Sequence, residues 1–460
     1  MALVENTKVS NELNFGERES SYPVYQYRNL YPANGARRFV ELTSAGETQA
    51  TIFNIPAEQV NMGESYLEYD IEVQGQGALT YAWLHRDVFG EFDSVIYRDT
   101  GSQFLTEVRN LNLYHSVISR LDTSLEDLLY NDEVNGLSIS RATANAAENK
   151  RFDNTNMNIP LHEPMTFAVS AVGANAGTFT DPAVGTISLK RKIYLKDLTG
   201  KHSFLGMAKD NLLPQETYLE IGWIGNRIGF QGTSNTDPNA GVDVLEGTIT
   251  INNITLKLAV QTNQDIVKEM KQRIANGLSI TIPWVRVHAL TGNVGAQATY
   301  NLTLDNKQHG QKIQRLIYVP FASANPANNA RHTAYDHRNI PLTAPKLLTY
   351  NTELDNRKLQ RDILNIANND DYMIHKKVLK NTTYLNKNIY GHYWVHIDTF
   401  DYPETNKNDD GSIYTDGYTL DKPTIWSVNK YSGSNAAIYN FAIVQGLKQL
   451  AINSTSFVVQ

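Results

Sequence analysis

Leu67, Tyr69, Ile71 and Val73 alternate with Glu68, Asp70 and Glu72. An apolar side chain at every second position lines one face of an extended strand; a helix would need spacings of three and four. The alternation returns at Met165, Phe167, Val169 and Ala171, at Ile187 with Leu189, at Ile193 with Leu195, and at Leu219, Ile221 and Trp223. Ile249 and Ile251 begin another strand, and Ile254, Leu256, Leu258 and Val260 resume it on the opposite parity. One extra residue flips the side-chain phase, so Asn252 and Asn253 are read as a β-bulge. Further on, Ile280 and Ile282 lead into Pro283, with Val285 and Val287 in shifted phase. Tyr300, Leu302 and Leu304 follow, then Ile317 and Val319, then Tyr393, Val395 and Ile397, then Tyr439, Phe441 and Ile443, and last Phe457 and Val459. A chain written this way is all-β.

At 460 residues the chain exceeds one ordinary core, which implies two or more domains. A helix breaks the strand pattern near the middle. Ile266, Met270 and Ile274 share one face, Thr262 and Asp265 resemble a capping box, and Gly277 supplies a stop. Glu269 and Arg273 make an i,i+4 pair. The expected organisation is an arm over residues 1–25, a first sandwich over 26–262, a helical linker over 263–277 and a second sandwich over 278–460. A second helical stretch is expected from about Leu359 to Ala367. Long polar stretches, Asn131 to Pro160 and Gly225 to Gly241, read as functional or interfacial loops.

Several function classes fall away on composition. The net charge is −7, opposite to that of a chain that neutralises nucleic acid by contact. With no cysteine, disulfides, Cys-bound zinc and thiol chemistry are excluded. No run of about 20 apolar residues is present. Met1 to Ser20 lacks the basic start and apolar centre of a signal peptide, so the sequons at Asn253, Asn301, Asn381 and Asn453 are expected to be unused. The 25 tyrosines fit either a high strand content or broad, partly polar contacts.

Candidate chemistry is sparse. Asn406, Asn408, Asp410 and Gly411 imitate the start of a calcium loop, but Gly417 stands where a bidentate Glu belongs. His162 with Glu163, His332 with Asp336 and His337, and His392 with His396 are read as ordinary surface or interface residues; the last pair, four apart in a run that reads as a strand, has no third ligand nearby. Asp370 and Asp371 are neighbours in sequence, and neighbours need not face each other across a cleft. No nucleophile elbow, Walker loop or dinucleotide fingerprint occurs. The expectation is no catalytic, cofactor-binding or metal residue. Lys190 to Lys192 read as a solvated edge, with genome or inner-membrane contact as the alternative.

Four segments carry a family resemblance. They are Asn112 to Leu125, with Asn112, His115 and Ser116 in an N-x-x-H-S pattern followed by a β run; Ile193 to Trp223, with its Leu-Pro before a strand; Ile249 to Val260 with the charged helix Asp265 to Ile274; and the C-terminal strands from Tyr390 onward. In this order they resemble the double jelly-roll major capsid proteins of DNA viruses: nucleocytoplasmic large viruses, virophages, polinton-like viruses and some tailless phages. The connector lacks the extended acidic and arginine run of the largest viruses, so the chain looks like a small-virus or divergent member. The resemblance implies two tandem jelly rolls and homotrimers with pseudo-hexagonal outline, with strands normal to the shell, outward loops and an inner N-terminal arm. It further implies neighbouring capsomers and minor capsid and penton proteins as partners. The arm would contact an internal membrane or genome, no small molecule would be bound, and the place would be a virion assembled inside the host cell. Two other readings stay open: a non-viral β-sandwich carbohydrate-binding or adhesin protein, and a β-sandwich glycan hydrolase.

Overall fold

The computed structural model describes residues 23–33, 40–42, 48–75, 81–84, 92–101, 103–111, 114, 118, 169–170, 186–200, 203–206, 210–212, 215–224, 229–232, 243–244, 247–290, 299–304, 312–322, 347–354, 357–358, 364–365, 396–399, 424–430, 438–453 and 456–459. In chain order the first strands are β1 (Tyr25–Leu30), β2 (Val40–Leu42), β3 (Thr48–Ile55), β4 (Gln59–Gly75), β5 (Tyr81–Leu84), β6 (Phe92–Asp99) and β7 (Phe104–Arg109). Then come β8 (Val169–Ser170), β9 (Thr186–Tyr194), the one-turn helix α1 (Leu195–Thr199), β10 (Asp210–Leu212), β11 (Thr217–Ile224), β12 (Gly229–Gly232), β13 (Asp243–Val244) and β14 (Gly247–Gln261). Helix α2 (Gln264–Ala275) follows. After it come β15 (Leu278–Leu290), β16 (Thr299–Leu304), β17 (Lys312–Ala322), β18 (Leu347–Leu354) and β19 (Arg357–Lys358). The last are β20 (Leu364–Asn365), β21 (His396–Thr399), β22 (Thr424–Lys430), β23 (Ile438–Ile452) and β24 (Phe457–Val459).

No hydrogen-bonded sheet among the described residues mixes strands from before and after α2. Before it, β1-β14-β4 with β9 beside β4 forms one sheet, and β3-β11-β6-β7 forms another. After it, β15-β23-β17-β21 and β16-β22-β18-β19 form two more. If the eight principal strands of each half are numbered along the chain, both halves give the same pair of orders, 1-8-3-6 and 2-7-4-5. Every pairing is antiparallel, as in the first sheet's β1 against β14. That doubled Greek-key winding brings the first and last strands of each half side by side, so the ends of each half close locally. A smaller sheet, β13-β12-β5-β8, belongs to the first half.

Aromatic side chains from the two first-half sheets meet in the core. Tyr69 on β4 packs edge-on to Trp223 on β11, centroids 4.9 Å apart, and to Phe92 on β6 at 6.0 Å. All three are fully buried. Trp223 Nε1 donates to Thr51 Oγ1 at 2.9 Å, which satisfies its one polar atom. Beside it, Gly222 lies so close to β6 that an added Cβ would sit 3.2 Å from the Ser94 amide nitrogen. The alternation read at Leu67, Tyr69 and Ile71 is an inward row, all fully buried. The bulge lies where the parity flips: the β4–β14 register shifts between Asn252 and Thr255, and Asn253 takes a left-handed backbone with φ 53°.

Some expectations need correction. Leu195 opens α1 instead of extending the strand that holds Ile193. Within the segment from Asn112 that reads as a β run, Tyr114 and Ile118 are helical, as is Leu111 just before it; all three are buried. Tyr114 N donates to Asn110 O, and the spacing of three and four turns those side chains to the core. The helix expected from Leu359 to Ala367 gives way at Leu364–Asn365 to β20, which pairs with β18; a sheet edge overrides local propensity there. The polar stretch from Gly225 to Gly241 contains β12. The cap of α2 is Asn263, whose side chain accepts from Asp265 N at 3.1 Å, because the Thr262 hydroxyl donates instead to Val24 O at 2.9 Å. Gly277 follows the helix at φ 82°, a conformation that suits glycine.

Candidate functional site

Two surfaces bring chemistry-bearing side chains together. The first is the outer face of the β1-β14-β4-β9 sheet. Tyr27 on β1 and Tyr66 on β4 have ring centroids 5.5 Å apart, and Tyr66 meets Tyr194 of β9 at 5.6 Å. Tyr27 and its flanking Val24 and Tyr31 are exposed. Beside this row Glu68 collects Lys190 at 3.1 Å, Lys192 at 3.5 Å and Lys257 at 3.5 Å. Burial alone would raise the Glu68 carboxyl; the Lys190 hydrogen bond and the three ammonium charges outweigh it and hold the group below its ordinary range. Two cations of the Lys190 to Lys192 run are thus engaged within the sheet. Lys196 bridges to Glu64 at 3.1 Å and lies 4.9 Å over the Tyr194 ring.

The second surface is the seam between the halves, where β7 meets β15. Lys448 of β23 donates to Phe104 O at 2.7 Å. Arg286 Nη2 lies 4.0 Å from Glu107 Oε2. Gln445 Nε2 donates to Tyr114 Oη at 3.4 Å, while its Oε1 accepts from Arg315 Nε at 2.5 Å. None of these stands out in the sequence. The available signal is Lys448 as the one charged residue of the long strand β23, and Arg286 and His288 inside β15.

Among the described residues no three His, Asp or Glu side chains converge as metal ligands, and no helix is long and apolar enough to cross a membrane. His162, Glu163, His332, Asp336, His337, Asp370, Asp371, His392 and the loop from Asn406 to Gly417 lie outside the described residues, as do Asn112, His115, Ser116, the stretch from Asn131 to Pro160 and residues 1–22 of the arm. His396 begins β21.

No family model matches the sequence, and no curated protein matches it. Solved structures do match the backbone. The structure of the Sputnik virophage by cryo-EM aligns with TM-score 0.55 at 11% identity, over 96% of this chain and 88% of that one. The Faustovirus major capsid protein aligns with TM-score 0.54 at 9% identity, over 94% and 91%. The fold is a double jelly roll. PBCV-1 VP54, fitted into a reconstruction of Sputnik, gives TM-score 0.50 at 10% identity over 95% and 97%. Each comparison spans both halves, and the double jelly roll accounts for the repeated strand order found above.

Proposed function

We propose that this chain is a major capsid protein, a structural subunit of an icosahedral DNA-virus shell that acts through its sides and not through a pocket. The observation that carries the reading is the tandem repetition of the 1-8-3-6 and 2-7-4-5 strand orders on either side of one helix, in a backbone that follows the Faustovirus major capsid protein over 94% of its length. The proposed limits are an arm to residue 25, a first roll to 262, a linker to 277 and a second roll to 460. Val24 and Tyr25 at the end of the arm are tied to the last strand of the first roll: Val24 N donates to Gln261 Oε1 at 2.9 Å, and Tyr25 faces Gln261 in register.

In this reading three copies, six rolls in all, close into a pseudo-hexagonal capsomer, because closed symmetry satisfies interfaces that would otherwise propagate. Interfaces of this kind bury upwards of about 2,000 Å². The capsomer meets its neighbours and the minor capsid and penton proteins in the virion, and the arm faces the membrane or genome within. The role is structural and not catalytic.

The tyrosine row favours one other reading, a carbohydrate-binding module. Sugar platforms need an open ring face, and here Lys196 covers Tyr194 while Tyr66 and Tyr194 pack edge to face, which weighs for the capsid. Size-exclusion chromatography with light scattering separates the two. A capsid subunit elutes as three copies of a 51.6 kDa chain and forms hexagonal particles in negative stain. A chain that stays monomeric at micromolar concentration ends the proposal.

A further inference from the structure

The two rolls repeat one strand order, yet the same face of that order is covered in one roll and open in the other. In the second roll the face belongs to β15, β23 and β17, which are strands 1, 8 and 3 of that half. Gln445 lies directly opposite Val285 and Arg315 in register, and cross-strand neighbours share a face. Gln445 Nε2 donates to Tyr114 Oη of the first roll, so this is the face that the first roll covers. Two residues further along their strands, Ile443 and Ile317 lie on the same face and are fully buried. They belong to one buried cluster with Leu105, Val108, Leu111 and Tyr114. The cover comes from β7, strand 5 of the first roll and the end of its sheet, and from the helical turn after it.

The counterpart in the first roll is the outer face of β1, β14 and β4, again strands 1, 8 and 3. There Tyr27 is 46% exposed and Tyr31 50%. Of the five large apolar side chains exposed among the described residues, three, Val24, Tyr27 and Tyr31, lie on β1 or its flanks. A concentration of this kind marks an interaction surface. Tyrosine is enriched at the centre of such contacts and lysine is depleted there. Lys190 and Lys192 stand apart on β9, beyond β4 from β1, where they form a rim.

We infer that this tyrosine face is the contact between copies, and that its occupant is the second roll of another copy, seated through its β18–β19 edge. The repeat selects the edge: β19 is strand 5 of the second half, as β7 is of the first, and it likewise stands at the end of its sheet. Within a chain the first roll covers the second; between chains the second covers the first. A face that meets a different edge is a heterologous contact, and such contacts form a ring where the rotation closes. In a ring of three copies, every other joint is a seam within one chain and the joints between are this contact. The inference rests on the capsid reading and assigns the capsomer contact of that reading to named residues.

Two measurements on the full chain test it. Hydroxyl-radical footprinting compares the assembled chain with the same chain diluted to monomers. Tyr27 and Tyr31 should react about tenfold more slowly in the assembly, as side chains at the dry centre of a contact do. The second measurement is light scattering over a concentration series. Tyr27→Asp combined with Tyr31→Asp alters only exposed positions, so the urea midpoints of both rolls should hold. The concentration at which trimers dissociate should rise about a hundredfold, the loss expected at an interface hot spot, whereas Tyr27→Phe should leave it unchanged. Should the double variant fail to fold, footprinting of the unaltered chain decides alone. An unaltered chain that stays monomeric removes the capsid reading and this contact with it. Trimers whose Tyr27 and Tyr31 react as fast as in the monomer, or a folded double variant that assembles like the unaltered chain, overturn the contact and leave the capsid reading standing. Protection of both tyrosines already in the monomer would mean that the chain fills the face itself, and overturns the contact too.

Discussion

Two buried tryptophans mark how differently the first roll and the seam are built. Trp223 lies between the sheets of the first roll, touches Tyr69 and Phe92, and has its Nε1 bonded to Thr51. Trp284 lies on β15, is 5% exposed, and its Nε1 has no partner. An unmet buried donor costs about 1–3 kcal/mol. Trp223 avoids that cost and Trp284 does not, though within the first roll Gln59 on β4 also leaves both side-chain polar atoms unmet. On β7 and β15 three such atoms, on Thr106, Trp284 and His288, are unmet together, so the strands that meet at the seam carry that cost in a short span, whereas the aromatic cluster around Trp223 does not.

The sharpest way to break this contrast is to empty the roll. Trp223→Ala removes a fully buried side chain from a close-packed aromatic cluster, and such changes cost about 3–5 kcal/mol. Chemical denaturation followed by hydrogen exchange should show the first roll unfolding early and the second roll keeping its midpoint. Loss of both rolls in a single transition would mean that the seam couples them more strongly than its polar makeup allows.

Acid should act with opposite signs on the two regions. Asp197 on α1 is pushed up to about 6, mainly by burial; Lys196 lowers it and Glu64 adds to the rise. An acid whose folded pKa exceeds its free value contributes fully below the free value of 3.8, and that contribution is lost as pH rises through about 6. The first roll therefore carries an ionised, poorly solvated carboxylate at pH 7. Asp197→Asn should stabilise it by about 2 kcal/mol at pH 7 and by little at pH 3.5, read from urea midpoints. Lys448 at the seam runs the other way. With a folded value of about 8 against 10.5, its contribution is present above 10.5 and lost as pH falls through 8. Stability of the seam should thus rise between pH 7 and 10, on the order of 1–2 kcal/mol once local relaxation is allowed for. Lys448→Met should flatten that rise.

The roll interiors are legible in the sequence and the seam is not, for a physical reason. Period-two alternation reports which face of a strand is buried within its own sandwich, so Leu67, Tyr69, Ile71, Leu219, Ile221 and Trp223 can be read as core directly. The bulge is legible because parity flips at Asn253. Contacts between rolls follow no period. Glu107 reads as an ordinary polar position on β7, and only the folded chain brings it to Arg286, 179 positions later in sequence. The helical turn carrying Leu111, Tyr114 and Ile118 escapes notice because Val117, Ile118 and the residues after them also satisfy a β pattern, and short apolar runs are ambiguous between the two. Leu364 departs from its local helical pattern because a neighbouring strand, β18, recruits it.

The connector between the two regions gives the smallest expected effect, and its smallness is informative. Helix α2 has one buried apolar side chain, Ile274, and its Glu269–Arg273 pair is more than half exposed on both sides. Solvent screens such a pair, and an i,i+4 contact contributes about 0.2–0.5 kcal/mol. Arg273→Ala should shift the unfolding midpoint of either roll by no more than that. The Asn263 cap is worth about 1 kcal/mol to the helix itself, so the helix can fray without unfolding its neighbours. If Arg273→Ala instead changed the exchange of both β7 and β15 at pH 7.5, the linker would be setting the distance between the rolls, and the contacts of the seam would follow from the helix.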